Sequence, residues 1–228
     1  MLNKNDIVEK YCSISLAYGK KIKSINDLAE HSDIDYKNAS YQFRCDAISL
    51  LCEREETDAT AIVPIPHAGV FLANCWAELR NEKLWLAFGY KSHGTSIFYT
   101  ADDQISREKH CEVKVGTLID LNKDYKKIIL IDEDILSGVT MKMAIQTLRS
   151  HGVKEIHART ILPPYINKCP YSRINYKPTL TTNTDIAKEI GADDFSCLSM
   201  EDLNSLDKNQ SICFECQMKN AKVKSHLI

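Results

Sequence analysis

The 228-residue chain has no apolar run approaching the roughly 18 residues needed to span a bilayer, and its opening MLNKNDIVEK lacks the apolar core of a secretory leader. Both absences lead to the expectation of a cytoplasmic protein with no membrane partner. Charge of either sign is not in excess: 29 Lys+Arg against 31 Asp+Glu leave a net charge of -2 with the signs interspersed, so the basic face of a nucleic-acid binder is missing. No repeat, low-complexity segment or linker interrupts the chain, and its length suffices to bury a sizeable core. A single domain over 1–228 is therefore expected.

Cysteine, by contrast, is abundant. Nine are unusual for a cytosolic chain of this size, and an odd number cannot all pair as disulfides. In a reducing compartment, metal binding is the better explanation for any that cluster. Cys45, Cys52, Cys75, Cys111 and Cys197 lie in apolar-rich segments and read as buried small hydrophobes. Cys213 and Cys216 form a C-x-x-C in SICFECQ and stand apart from these.

Along the chain, a helical, polar opening runs to about Leu51, followed by a strand at Ala61 to Ile65, the loop Pro66 to Gly69 and a helix from about Val70 to Leu79. Leu84 to Phe88 reads as a further strand. A long polar connection interrupted by glycine then leads to a strand at Ile128, and connections of that length in a compact domain usually carry function. Ile156 to Leu162 reads as another strand, stopped by Pro163-Pro164, and two short helices follow. Gly191 is placed to end the first of these. Ser199 is placed to cap the second, with Glu201 and Asp202 in its first turn favouring the helix dipole. Strands alternating with helices predict an α/β fold with a parallel sheet and a ligand outside the carboxyl ends of its strands.

Two loops meet that description. The stretch Ile128 to Thr140, IILIDEDILSGVT, carries a short β-branched run of the kind buried on both faces of a parallel sheet, then the acids Asp132, Glu133 and Asp134, then a glycine turn. From Met141 the spacing becomes helical, with Met141, Ile145 and Leu148 on one face and Gly152 as terminator. Ser137, Gly138, Val139 and Thr140 then surround a helix amino terminus, where backbone amides and the dipole favour an anion and glycine admits a phosphate closely. Asp132 and Glu133 are suited to accept hydrogen bonds from vicinal sugar hydroxyls. The second loop, Pro66-His67-Ala68-Gly69, arrives at the same sheet edge one crossover earlier. As bare segments, the two also fit an ordinary strand-to-helix turn with solvated acids and an ordinary proline-glycine turn.

The pattern of apolar residues, Asp132, Glu133, four residues, Gly138, one residue and Thr140 resembles the phosphoribosyl diphosphate (PRPP) loop of the type I phosphoribosyltransferases. That resemblance implies a twisted, mainly parallel sheet flanked by helices. It implies a 5-phosphate held by the turn from Ser137 to Thr140, with Asp134 beside it, and pyrophosphate held by Pro66, His67, Ala68 and Gly69, often with a strained peptide bond in that loop. The segments Leu148 to Pro164 and Ile186 to Leu203 are similar to one branch, glutamine PRPP amidotransferase, whose phosphoribosyltransferase half is matched from about Cys12 to Cys216. The core is then expected at about 42–165, with 1–41 and 166–228 forming a hood. Several members of that branch hold a four-iron, four-sulfur (4Fe-4S) cluster on four cysteines. The counterparts here are Cys12, Cys169, Cys213 and Cys216, and a four-cysteine zinc site and unligated thiols are the competing readings.

The departures from that branch shape the expected activity. No catalytic cysteine follows Met1, and the chain begins where the second domain of the branch would. Glutamine hydrolysis within the chain is thus not expected. Ammonia from solution, a separate glutaminase subunit as partner, or another small nitrogen nucleophile would take its place. Where the branch has an arginine- and tyrosine-bearing segment closing over PRPP, this chain offers Tyr90-Lys91-Ser92-His93-Gly94, in which Lys91 and His93 are candidates to contact pyrophosphate, with Arg107 or Lys114 from the following segment. The resemblance implies displacement of pyrophosphate from PRPP through an oxocarbenium-like state, with magnesium (Mg2+) bridging diphosphate and ribose. Asp132, Glu133 and Lys91 would carry the chemistry, and closure of the Tyr90 to Asp103 loop would exclude water. A regulatory protein that senses PRPP or nucleotide without turnover, and an iron-sulfur or zinc interaction protein on the same fold, are the alternatives. A homodimer is the default oligomer.

Overall fold

The computed structural model describes residues 11–19, 33–89, 115–117, 120, 124–165, 167 and 185–217. Its elements in chain order are β1 (Tyr11–Cys12), α1 (Ser13–Tyr18), α2 (Asp33–Glu53), β2 (Ala61–Pro64), α3 (Ala68–Arg80), β3 (Lys127–Asp132), α4 (Val139–Ser150), β4 (Glu155–Thr160), α5 (Ile186–Ile190), β5 (Asp194–Cys197), α6 (Met200–Leu206) and β6 (Ile212–Cys213).

Strands β2, β3, β4 and β5 form one sheet in that order, every pairing parallel. The run Ile128 to Ile131 occupies the middle of β3 and is fully buried, as its β-branched character requires. At about 1.5–3 kcal/mol for each side chain fully withdrawn from water, these four residues anchor the strand whose carboxyl end carries the acids. Alternate residues supply the two faces. Ile62, Ile129 and Ile131 pack with Phe43, Ile48 and Leu51 of α2, with Leu72 and Trp76 of α3, and with Leu203 of α6. On the other face Val63, Ile128, Leu130, Ile156 and Ala158 pack with Met141, Ala144, Ile145 and Leu148 of α4 and Ile190 of α5. The helical face read from the spacing of Met141, Ile145 and Leu148 is the face that is buried.

The expected strand at Leu84 to Phe88 is corrected: Leu84 makes an isolated parallel bridge to Ile62, and no named strand forms among those residues. The bridge is made by the Ile62 amide donating to the Lys83 carbonyl at 2.7 Å and the Trp85 amide donating to the Ile62 carbonyl at 2.8 Å, and Trp85 and Phe88 are buried beside it. Strand β5 and the two-residue parallel ladder of β1 with β6, which joins residues near the two ends of the chain, were not expected. The expected caps are present. Ser199 and Asp202 form a reciprocal capping box on α6, and α5 ends at Gly191. No helix among the described residues is long and apolar enough to cross a membrane.

One polar group interrupts the first face. Arg159 of β4, 3% exposed in its side chain, is paired through Nε and Nη2 with the Glu55 carboxylate and through Nη1 with Asp194 at 2.9 Å. Burial pushes the Glu55 carboxyl up, but hydrogen bonds from Arg159 and Thr57 outweigh it and hold the group below its ordinary value. Beside this pair, His157 meets Glu155 at 2.8 Å and faces Asp194 at 3.7 Å, and its pKa is raised mainly by the Asp194 carboxylate.

Candidate functional site

The two candidate loops leave adjacent parallel strands, because Pro64 of β2 lies in register with Ile131 of β3. The Ile65 amide continues the ladder by donating to the Ile131 carbonyl at 2.9 Å. Beyond that bond the chains diverge, one into Pro66 to Gly69 and α3, the other into Glu133 to Gly138 and α4. Both helices therefore present their amino termini at one edge of the sheet, as a site for a doubly anionic ligand requires.

The loops touch at Gly69. A Cβ built there would lie 2.7 Å from the Ile131 carbonyl oxygen and 3.5 Å from both Cα and Oδ1 of Asp132. Only a residue without a side chain fits between the start of α3 and the end of β3. His67 takes the strain of the turn, with φ 84° and ψ -111°, a region that residues other than glycine rarely enter and that is found most often at ligand-binding turns. The strain expected in this loop thus falls on the His67 dihedrals, and the described peptide bonds are trans.

On the second loop, Asp132 and Glu133 are 8% and 7% exposed, and the Glu133 amide donates to Asp132 Oδ1 at 3.0 Å. Gly138 occupies the N-cap of α4 in the left-handed region, φ 75°, and supplies no side-chain cap. The first-turn amides of α4 are left to partners outside the helix ladder. Asp134, expected beside the phosphate, has a protein partner: the Tyr165 hydroxyl donates to its Oδ2 at 2.6 Å. Tyr165 follows Pro163-Pro164 and is fully buried, and burial first, then the nearby Asp134, Cys216 and Cys12, raise its pKa well above the ordinary value. Sequence reasoning missed this residue, since nothing local distinguishes a buried tyrosine after a double proline.

Three of the four cysteines named as ligands come to one layer. Cys12 and Cys213 are register partners in the β1–β6 ladder, and Cys216 follows three residues later. No group of three or more His, Cys, Asp or Glu among the described residues is arranged to hold a metal ion. Cys169 and Lys91 lie outside the described residues, as do Cys111, Arg107, Lys114 and the loop from Tyr90 to Asp103. Of the cysteines read as buried hydrophobes, Cys52 and Cys197 are buried, with thiol pKa values pushed up to about 12 by burial. Cys45 and Cys75 are half-buried, a correction that follows from their place along the outer seam of α2 and α3.

No family model matches the chain. Its similar curated relatives include the amidophosphoribosyltransferase of Methanocaldococcus jannaschii, 25% identical over 181 residues that cover 77% of this chain and 38% of the relative. The amidophosphoribosyltransferase of Methanothermobacter thermautotrophicus is 27% identical over 180 residues, 75% of this chain and 37% of the relative. The chain thus spans less than two-fifths of the length of these relatives. Among solved structures, the glutamine PRPP amidotransferase from Bacillus subtilis complexed with ADP and GMP superposes with a TM-score of 0.66 at 20% identity, covering 94% of this chain and 47% of that one. The allosteric regulatory enzyme of purine biosynthesis gives a TM-score of 0.65 at 19% identity, covering 96% and 48%. The fold is that of the type I phosphoribosyltransferases, and the sequence is similar to a part of the amidophosphoribosyltransferases.

Proposed function

We propose that the chain is a phosphoribosyltransferase that binds PRPP with magnesium and transfers the 5-phosphoribosyl group to ammonia or another small nitrogen nucleophile, releasing pyrophosphate. The contact of Gly69 with the end of β3 carries this reading, because it sets a strained turn and a helix amino terminus directly against the buried Asp132 carboxylate, with the buried Glu133 next in the chain. In this reading Asp132 and Glu133 accept from the ribose hydroxyls and face the cationic ring as it develops. The α4 amino terminus at Gly138 takes the 5-phosphate, and Pro66 to Gly69 take the diphosphate through backbone amides. Oxygen donors suit magnesium, which is usually held by one or two carboxylates together with substrate phosphates and neutralises a diphosphate leaving group. The chain's own part is to bind, orient and exclude water.

The names of the sequence relatives support amidophosphoribosyl chemistry, and a glutaminase partner or free ammonium as nitrogen source is part of the proposal. For the cysteine layer we propose an iron-sulfur cluster, or zinc on the same thiolates, completed by Cys169. Its support is the register of Cys12 with Cys213 and the nearness of Cys12 and Cys216 to Tyr165. Iron, acid-labile sulfide and zinc content of anaerobically purified protein tests it, and protein free of all three rejects it.

The site assignment is tested by calorimetric titration of PRPP with magnesium into the wild type and Asp132→Asn. The substitution removes a charge but keeps the shape, and is expected to weaken binding about tenfold or more, since a hydrogen bond to a charged group contributes ~1.5–3 kcal/mol. Equal affinity in the two proteins would remove Asp132 from the site.

A further inference from the structure

The segment after β4 is strapped to the acidic loop at three points. The Leu162 amide donates to the Glu133 carbonyl at 3.1 Å, the Tyr165 amide donates to the Ile135 carbonyl at 3.2 Å, and the Tyr165 hydroxyl donates to Asp134 at 2.6 Å. The same residue faces the chain-end layer. Tyr165 forms an antiparallel bridge with Gln217, and the Asn167 amide donates to the Cys216 carbonyl at 3.4 Å. Gln217 Nε2 in turn donates to Ser13 Oγ at 3.0 Å, with Tyr165, Gln217 and Ser13 each fully buried. Ser13 directly follows Cys12 and Gln217 directly follows Cys216. A chain of contacts therefore runs from the cysteine layer through the Ser13–Gln217 hydrogen bond, the Gln217–Tyr165 backbone bridge and the Tyr165–Asp134 hydrogen bond, ending two residues beyond Asp132.

We propose that Tyr165 is a positioning residue that holds Asp134, and through it the loop from Asp132 to Thr140, in register with the chain-end layer, so that PRPP affinity depends on that layer. The functional part of this statement rests on the PRPP reading given above. Its physical basis is independent of it. The Ser13–Gln217 bond is buried and the Tyr165–Asp134 bond part-buried, and the backbone bridge between Gln217 and Tyr165 ties the two together. Losing either bond costs a polar group a partner that water does not freely replace. Three successive acids also repel one another, and a hydroxyl that stays protonated at neutral pH fixes one of them by donation.

The experiment uses Tyr165→Phe, which keeps the ring and both backbone bonds, with Gln217→Ala and the two combined. Backbone amide exchange across 132–140 is read without ligand. Faster exchange in Tyr165→Phe supports the strap, and unchanged exchange overturns it, whether or not PRPP binds. With PRPP and magnesium, Tyr165→Phe is expected to weaken affinity about three- to tenfold, a fraction of the strength of a part-buried bond to a charged group. Gln217→Ala is expected to weaken it in the wild type but to add little in the Tyr165→Phe background, as coupled sites do. Strictly additive losses, or an unchanged affinity in Tyr165→Phe, would overturn the proposal. A wild type that does not bind PRPP while exchange responds as expected would reject the PRPP reading and leave the strap standing. Should Gln217→Ala fail to fold, Ser13→Ala removes the same bond with the loss of one atom.

Discussion

Replacing Gly69 with alanine inserts one methyl group where the two candidate loops meet. The new Cβ would lie 2.7 Å from the Ile131 carbonyl oxygen, and that oxygen belongs to a strand paired on both sides, to β2 and to β4. The central strand cannot recede, so the start of α3 must lift by roughly half an ångström or more to reach ordinary contact distance. Gly69 is not among the positive-φ residues, so backbone conformation adds nothing to the cost. Overpacking of this kind costs about 1–3 kcal/mol. For a chain of this length, each kcal/mol moves Tm by about 2–4 °C. The functional loss is expected to exceed the stability loss, because the lift separates Pro66 to Gly69 from Asp132, and a misplacement of about 1 Å can cost about a hundredfold in rate. Thermal melts and pyrophosphate-release kinetics on Gly69→Ala should show a Tm lowered by a few degrees and a kcat/KM lowered about tenfold to a hundredfold. A variant with wild-type Tm and wild-type kinetics would refute the seating of this loop on β3.

Two further outcomes follow from the buried charges. Arg159→Met leaves Glu55 buried without its partner and should cost about 3–5 kcal/mol in urea melts, while adding Glu55→Gln should recover part of the loss; a single-variant cost below about 1 kcal/mol would contradict the pairing. His157, with its pKa raised above 6.5 by Asp194, contributes stability that is fully present below pH 6.5 and is lost as pH rises through its folded value. Asp194, held down to about 2 chiefly by His157, contributes stability present above pH 3.8 and lost as pH falls towards 2. Tm measured across this range should therefore decline above pH 6.5 in the wild type and decline less in His157→Gln; identical slopes would refute the assignment.

What could be read from the sequence was local. Ile128 to Ile131 announce a buried strand, Met141, Ile145 and Leu148 announce the face of α4, and Ser199 with Asp202 announces a cap, because in each case the signal lies within a few residues of its consequence. Leu84 to Phe88 has the apolar content of a strand and bridges β2 at Leu84, but apolar content does not tell how far a ladder runs. The β1–β6 ladder joins residues some two hundred positions apart through two rungs, too short for any periodicity to register. Tyr165 with Asp134 and Arg159 with Glu55 are pairs made by tertiary packing across 31 and 104 positions rather than by local spacing. Strain in the Pro66 to Gly69 loop was implied by the resemblance, but its place at His67 was not, since a histidine carries no sequence mark of a positive φ.

The central claim is tested most directly by pyrophosphate release from PRPP with magnesium, on anaerobically purified protein, with and without ammonium. The account predicts release that depends on ammonium, or on another small amine in its place, and is strongly reduced in Asp132→Asn. Tight binding of PRPP with no release under any nucleophile would contradict the transferase and leave a PRPP-sensing protein. Absence of both binding and release would contradict the site itself.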